Sequence, residues 1–478
     1  MQIKDLVKLI RARKINGISC NSKSVGNGSV FVAVKGAKED GSRFIDEAIS
    51  RGAKIIVCES GLRKNIKADV SLVEVKNTRL VIAQLSSEFY GNPSRKLKVI
   101  GVTGTNGKTT LTYILEAILR EARSKVAVIG TINYRFEDVI LPAKNTTPGP
   151  LELQSIMSNM VKKGIEYCAI EVSSHALDQE RVLGINFHSA IFTNLTQDHL
   201  DYHKTIKRYF LAKAKLFKGL SPRSFAVLNY DDKYFSLLKR LTKAKVITYG
   251  LGARSQVRAS KIKYGLNSTE FLLSFSKKEI PIKTHLIGRH NLYNLLAAFS
   301  WAYQEGIDLK VIKAALEGFS FVPGRLERIE CEKGFYVFVD YAHTEDALKN
   351  VILALRGLSS GRIITLFGCG GERDKLKRPK MGKMVTELSD FAVITNDNPR
   401  SEKPENIISD IKRGIKKDNF TVIPDRKAAI KSVISMAVKG DIVLIAGKGH
   451  ENYQILKDGI VHFDDREETG LCLKSLNY

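Results

Sequence analysis

An α/β architecture in three units is the fold the sequence predicts, and three observations predict it. The apolar run Leu97–Val102 leads into the turn TGTNGKTT (Thr103–Thr110), and LTYILEAILREA follows with apolar residues at helical spacing: strand, glycine loop, helix. Short apolar runs ending in polar or glycine-rich turns recur along the chain, most of them separated by helical stretches. The length, 478 residues, accommodates about three domains at ~150 residues each. The expected divisions are an N-terminal unit at 1–92, a central unit at 93–322 and a C-terminal unit at 323–478.

In the first unit, Gly28–Glu59 alternates short apolar runs with helical segments, which predicts a small α/β domain. It has no phosphate loop of its own, so its expected role is recognition. NPSRK (Asn92–Lys96) is a polar, proline-containing joint.

The second unit carries the glycine loop. Gly104 and Gly107 let backbone N–H groups approach phosphate oxygens at a helix N-terminus, together with the amides of Thr105, Asn106 and Thr110. Lys108 can meet the β- and γ-phosphates, and the Thr109 hydroxyl can bind Mg²⁺. Val102 stands where the commoner nucleotide-triphosphatase loop has its first glycine, so this is a shortened variant. Further apolar runs at 125–130, 167–172, 188–194, 224–229 and 245–250 predict a P-loop ATPase-like, doubly wound parallel sheet. From about 255 to 287 the alternation changes to short strands, expected as an antiparallel flap on the sheet's edge, and Phe321–Ile329, with its Pro-Gly break, is the expected linker. The third unit repeats the α/β rhythm, predicting a Rossmann-like sheet. Its strands run into the turns VDYA, GCGG, NDNPR, PDR and GKGHE, and in such sheets ligands bind beyond the carboxyl ends of the strands.

Composition narrows the function classes. No stretch approaches ~18 consecutive apolar residues, so no membrane span is expected. The N-terminus lacks a signal peptide's apolar centre, which predicts a cytoplasmic protein. Six scattered cysteines without C-x-x-C spacing argue for reduced thiols and against a thiolate metal site. A net charge of +26 would also suit a nucleic-acid binder. The lysines are dispersed, however, and no aromatic-studded basic motif accompanies them, so lysine-rich surface composition or attraction of anionic substrates explains the excess without nucleic acid.

Two further segments carry chemistry. Glu171 closes the run YCAI, where a carboxylate can hold Mg²⁺ or orient a nucleophile and serves equally well as a helix cap. Thr193–His203 packs two histidines and two aspartates into its last six residues; His199 and His203 share a face if the segment is helical, and capping explains them equally. Oxygen-rich surroundings favour Mg²⁺ over zinc.

In their order, TGTNGKTT, NTTP (Asn145–Pro148), EVSSHALDQER (Glu171–Arg181), TNLTQDHLDYH (Thr193–His203), YFLAKAKLF (Tyr209–Phe217), GRHNLYN (Gly288–Asn294), PGRLER (Pro323–Arg328) and VDYAHT (Val339–Thr344) resemble the Mur ligase family of ATP-dependent amide-forming synthetases. The resemblance spans all three units and is nearest to the branch adding the third residue of the peptidoglycan stem peptide. It implies that Lys108 and Thr109 hold ATP phosphates and Mg²⁺, with Glu171, His199 and a carbamylated Lys213 as further metal ligands. Asn294, Arg325 and Asp340 would contact the nucleotide. Ser22, Asn145, Thr146, Thr147, Ser173, Gln179 and Arg181 would bind the UDP-N-acetylmuramoyl-dipeptide. Three departures stand out: NSK (Asn21–Lys23) replaces the usual DSR, Ala37, Lys38 and Glu39 replace a histidine-containing trio, and Glu345 stands where proline is common, with only a local turn change expected.

The same resemblance addresses the incoming amino acid to the third unit, through Arg373, the DNPR run Asp397, Asn398, Pro399 and Arg400, and Gly447 and Glu451. DNPR resembles the form found in members adding meso-diaminopimelate, whose second ammonium–carboxylate end lysine lacks. A guanidinium at Arg400 suits that carboxylate, and Glu451 suits the ammonium. The implied reaction is ATP-dependent ligation through an acyl phosphate by a monomer acting on small molecules. The alternatives are the lysine-adding version, a folylpolyglutamate-type ligase, which would not need the first unit's UDP contacts, and a basic nucleic-acid-binding ATPase.

Overall fold

The computed structural model describes residues 3–36, 39–60 and 69–475; Ala37 and Lys38, two of the three residues that depart from the family trio, lie outside that range. Gly17–Ser19, Ser29–Val32, Ala53–Glu59 and Ser71–Val75 form a parallel sheet in chain order. Val30, Val32, Ile55 and Val57 pack on one side with Leu6, Val81, Ile82 and Leu85, while Phe31, Ile45, Ala48 and Ile56 pack on the other. Burial of both faces is why these strands read as unbroken apolar runs.

The central sheet has eleven strands. Within it, Lys98–Thr103 is bonded in parallel to Tyr167–Glu171 on one side and Phe187–Phe192 on the other. That order places the turn after Thr103 between Glu171 and Thr193, where loops from three strands converge. The helix Lys108–Glu121 buries Leu111, Ile114, Leu115, Ile118 and Leu119 against this sheet, beside the helix Arg289–Glu305. The expected flap consists of Val257–Tyr264, Thr269–Phe275 and Lys278–Thr284, which pair antiparallel and continue the sheet without a break. At the opposite edge the hairpin Asn133–Phe136/Val139–Pro142 adds two antiparallel strands that the sequence analysis did not separate.

The C-terminal sheet has six strands. Ile442–Ala446 lies between Tyr336–Asp340 and Ile363–Phe367, and Phe391–Ile394 and Phe420–Val422 follow outward, all in parallel. The expected linker contributes structure of its own: Glu327–Ile329 pairs antiparallel with Val337–Val339 and edges this sheet. The strand order sets the turns after Asp340, Ala446, Phe367 and Ile394 side by side. A separate hairpin, Tyr453–Leu456/Gly459–His462, lies beyond them. No helix among the described residues is long and apolar enough to cross a membrane.

Candidate active site

The phosphate loop is shaped by close approach. Gly107 has φ +88°, and a Cβ there would lie 2.4 Å from Asn294 Oδ1; one on Gly104 would lie 1.9 Å from Thr193 Oγ1. Only glycine fits between these neighbours. The loop is held from the next strand, where Thr193 Oγ1 donates to Asn106 O (2.6 Å) and Asn106 N donates to Asn194 Oδ1 (3.0 Å). Thr105 N donates to Asn194 O at 2.8 Å. Thr110 lies buried in the helix's first turn. Asn294 Nδ2 donates to Asn291 Oδ1 (3.3 Å), which fixes the amide against Gly107.

Lys108 Nζ donates to Gly104 O (3.1 Å) and Thr105 O (2.8 Å) of its own loop. Lys213, 1% exposed on the helix Ile206–Lys218, donates to the same Gly104 carbonyl at 2.7 Å. Burial pushes the Lys213 ammonium well below the ordinary lysine range, and the neighbouring Lys108 pushes it further. Burial lowers Lys108 as well, against the pull of Glu171 and Asp198.

Glu171, 1% exposed, takes Thr131 N on Oε1 (2.9 Å) and Thr131 Oγ1 (3.0 Å) and Thr109 Oγ1 (3.1 Å) on Oε2. It is therefore not a helix cap; Ser173 caps the helix Ser174–Asp178 through Ala176 N. Arg325 Nη2 reaches across from the C-terminal side to donate to Thr109 Oγ1 at 3.1 Å, and its guanidinium lies over the Tyr341 ring at 4.6 Å. Asp340 takes Leu326 N (2.6 Å) and Ala342 N (2.7 Å), while burial raises its pKa. It thus sets the backbone beside Arg325. Asp346 adds a second crossing, taking Asn106 Nδ2 at 3.0 Å and Thr196 Oγ1 at 2.9 Å.

His199 and His203 do not ride one continuous helix. His199 sits at a left-handed cap (φ +53°) before the short helix Leu200–His203. The two are joined through His175, whose ring lies 4.7 Å from that of His199 and 5.5 Å from that of His203. His199 Nε2 lies 3.4 Å from Asp198 Oδ2, and desolvation in the cleft lowers its pKa. Among the described residues no three His, Cys, Asp or Glu side chains gather into a metal centre. The hydroxyl of Thr109 and carboxylate of Glu171 are hard oxygen donors that fit Mg²⁺, an ion that takes one or two protein carboxylates and completes its shell with water and phosphate.

The residues of the central unit expected to bind substrate form one network. Thr147 Oγ1 donates to Glu171 O (2.8 Å) and accepts from Ser173 N (3.1 Å), and Arg181 donates to Thr147 O (2.9 Å) and, through Nη2, to Gln179 Oε1 (2.8 Å). Thr146 Oγ1 is 3.1 Å from Thr131 Oγ1, and Asn145 O accepts from Tyr134 OH at 2.6 Å. Tyr202 OH, unmarked in the sequence analysis, accepts from Gln179 at 3.4 Å and donates to Asp178 at 2.8 Å. Ser22 stands apart in the first sheet's loops, donating to Glu47 Oε2 at 2.7 Å.

In the third unit the predicted residues meet. Asn398 Nδ2 donates to Glu451 Oε2 (2.8 Å), and Asp397 Oδ1 takes Asn398 N (2.6 Å). Arg400, at φ +55° after Pro399, donates to Gly371 O (2.8 Å) and Asn398 O (3.3 Å). A Cβ on Gly447 would lie 2.8 Å from Asp397 Oδ2; one on Gly370 would lie 3.1 Å from Arg400 Nη1 and 3.6 Å from Arg373 Cγ. Arg373 is exposed on the rim. The buried Arg378 holds the two loops together, bonding Glu402 at 2.9 and 3.0 Å and Gly370 O at 3.2 Å. Lys448, buried in the GKGHE turn, is signalled in the sequence only by its flanking glycines, Gly447 and Gly449; Arg378 and Asp346 carry no such signal. A cavity of about 490 Å³ lies between flap and third unit, lined by Asn267, Ile287, Asn291, Arg325 and Phe338.

The chain matches the Mur ligase family catalytic domain over residues 14–90, the Mur ligase middle domain over 102–302 and the Mur ligase, glutamate ligase domain over 324–449. It is 43% identical to the UDP-N-acetylmuramoyl-L-alanyl-D-glutamate--2,6-diaminopimelate ligase of Clostridium tetani, with 98% of each chain covered. The same-named ligase of Geobacter sulfurreducens is 42% identical, with 99% of each covered. A solved structure of a ligase of that name has a TM-score of 0.70 at 32% identity, covering 97% of this chain and 96% of the other. The MurF ligase of Thermotoga maritima in complex with ADP shares the fold, with a TM-score of 0.65 at 23% identity, covering 96% of this chain and 97% of that one. The chain belongs to the Mur ligase family.

Proposed function

We propose that this protein is an ATP-dependent ligase that joins meso-diaminopimelate to the D-glutamyl γ-carboxylate of UDP-N-acetylmuramoyl-L-alanyl-D-glutamate, a step of peptidoglycan precursor synthesis in the cytoplasm. The observation that carries it is the convergence at one loop. Arg325 and Asp346 bring the third unit, with its DNPR and GKGHE turns, onto the phosphate loop beside the Thr147–Ser173–Arg181 network.

In this reading the divisions at 92 and 322 separate recognition, ATP and amino-acid units, and the chain acts as a monomer on small molecules alone. Ser22 lies at the uridine end; Asn145, Thr146, Thr147, Ser173, Gln179 and Arg181 hold the muramoyl-dipeptide with its carboxylate toward the phosphate loop. The loop amides and Lys108 hold the triphosphate, with Asn294, Arg325 and Asp340 around the nucleoside. Thr109, Glu171, His199 and a carbamylated Lys213 would hold Mg²⁺, which when bound neutralises phosphate charge. The γ-carboxylate oxygen attacks the γ-phosphorus and ADP leaves. The amine nitrogen then attacks the acyl carbonyl, phosphate leaves and the nitrogen loses a proton. No protein nucleophile is needed, so Lys108 and the loop amides act by placing and neutralising charge. The third unit resting on the loop excludes water that would hydrolyse the acyl phosphate.

Phosphate release with ATP, Mg²⁺ and the UDP-dipeptide, comparing meso-diaminopimelate with L-lysine, tests the reading. Strong preference for diaminopimelate with a tripeptide product is expected; preference for lysine would reassign the acceptor, and release with neither would remove the ligase. Lys108→Ala should abolish ligation, a loss of about a thousandfold or more, and turnover near wild type would exclude the phosphate loop from the reaction.

A further inference from the structure

Lys448 has no assigned part in the reaction above, yet its side chain is 0% exposed. It stands between Gly447 (φ +119°) and Gly449 (φ +53°), both in backbone conformations that glycine adopts readily, which lets the turn follow the buried strand Ile442–Ala446 and face its lysine inward. The ammonium donates to Asn398 Oδ1 (3.3 Å), Glu451 Oε2 (3.2 Å) and Tyr453 O. Three N–H groups thus meet three acceptors, from the DNPR turn, the GKGHE turn and the outer hairpin. Glu451 Oε2 receives both this ammonium and Asn398 Nδ2, and no hydrogen bond within the chain occupies Oε1 among the described residues.

Within the hydrogen-bonded cluster the charges are matched, while the buried Arg426 is paired with Asp465 and Arg373 stands exposed at the rim. Asp397 and Glu451 contribute two carboxylates; Lys448 and Arg400 contribute two cations. Burial, with Asp397 nearby, raises the pKa of Glu451, and Lys448 and Asn398 oppose that rise. An acceptor whose far end carries both an ammonium and a carboxylate enters with no net charge. One ending in an ammonium alone leaves the guanidinium of Arg400 without its anion.

We propose that Lys448 is a positioning residue that sets charge selectivity among acceptor amino acids: it aims Glu451 and cancels one of the two carboxylates, so that the site fits a zwitterionic end better than a cationic one. The inference rests on the reading of the third unit as the acceptor site. Removing the ammonium would leave the pocket one charge more negative and Glu451 held by a single amide, which favours a cation and weakens the grip on the zwitterion.

The test uses the full chain with saturating ATP and UDP-dipeptide, and measures kcat and KM for meso-diaminopimelate and L-lysine in wild type, Lys448→Met and Lys448→Arg. The methionine variant should raise KM for diaminopimelate about tenfold or more and lower the diaminopimelate-to-lysine ratio of kcat/KM by a similar factor, with KM for ATP unchanged. The arginine variant should keep the ratio near wild type. If the methionine variant does not fold, Glu451→Gln is compared with Glu451→Gln/Lys448→Met, and the second change should then move the ratio less than about twofold. An unchanged ratio in the methionine variant of a diaminopimelate-using enzyme, or an additive loss in the double variant, overturns the inference alone. A wild-type protein indifferent to diaminopimelate overturns the functional reading and the inference with it.

Discussion

Two lysine ammonium groups, those of Lys108 and Lys213, point at one carbonyl oxygen, that of Gly104. Burial and mutual repulsion both favour loss of a proton from Lys213, and a neutral amine is the form that adds carbon dioxide to become a carbamate. Activity should therefore fall in buffers depleted of carbon dioxide and return with bicarbonate. Lys213→Ala should be inactive with or without it, and wild-type activity indifferent to bicarbonate would count against carbamylation. Arg400 gives the second test at this scale. Its Nη1 is taken by Gly371 O and Asn398 O, which orients the guanidinium while leaving other N–H groups for a ligand carboxylate. Arg400→Ala should raise KM for diaminopimelate about tenfold to a hundredfold and KM for ATP little, since a charge-assisted pair is lost at one substrate only. Equal effects on both would place Arg400 outside the acceptor site.

At the scale of elements, the helix Arg289–Glu305 ends in a carboxylate tied to the starts of three strands. Glu305 bonds His188 Nε2 and Lys98 Nζ, each at 2.7 Å, and also Tyr167 OH. Burial alone would raise its pKa; the bonds from His188 and Lys98 outweigh it and hold the group at about 2. A depressed carboxylate stabilises the fold above its unfolded pKa near 4.5, and that contribution fades as pH falls toward 2. Glu305→Gln should cost about 2 kcal/mol at pH 7, discounted for the half-exposed Lys98, and flatten the acid side of the unfolding curve between pH 4.5 and 2. A variant with wild-type acid sensitivity would refute the linkage. Elements of this kind were legible wherever local composition repeats: the runs VIGV, YCAI and VLIA are strands because both their faces are buried. The hairpin Asn133–Phe136/Val139–Pro142 is not legible in the sequence because its strands span four residues each and its turn, Glu137–Asp138, lacks glycine. Its tie to the phosphate-loop helix, a paired Arg135 and Glu116, joins residues far apart in sequence.

At the scale of the molecule, the third unit rests on the phosphate loop through Arg325 and Asp346. Asp346→Ala should lower kcat about tenfold with modest changes in each KM, because the loss falls on the docked arrangement and not on any one substrate. A rise in one KM alone would make Asp346 a binding residue. The motif-bearing turns could be placed in order from sequence, but their convergence depends on strand order, above all on Ile442–Ala446 inserting beside Tyr336–Asp340. Asp346 meets Asn106 and Thr196, and Lys448 meets Asn398, only through that insertion and docking. One contact has a mechanical side. Gly324 meets the GKGHE turn backbone to backbone: a Cβ there would lie 2.0 Å from His450 N. Gly324 precedes Arg325, which touches Thr109, while His450 separates Gly449 from Glu451. Close-packed backbones leave no slack between them. A displacement of the turn around Glu451 would therefore have to carry Gly324 with it or part from it, and Gly324 adjoins the residue whose guanidinium sits on the phosphate loop.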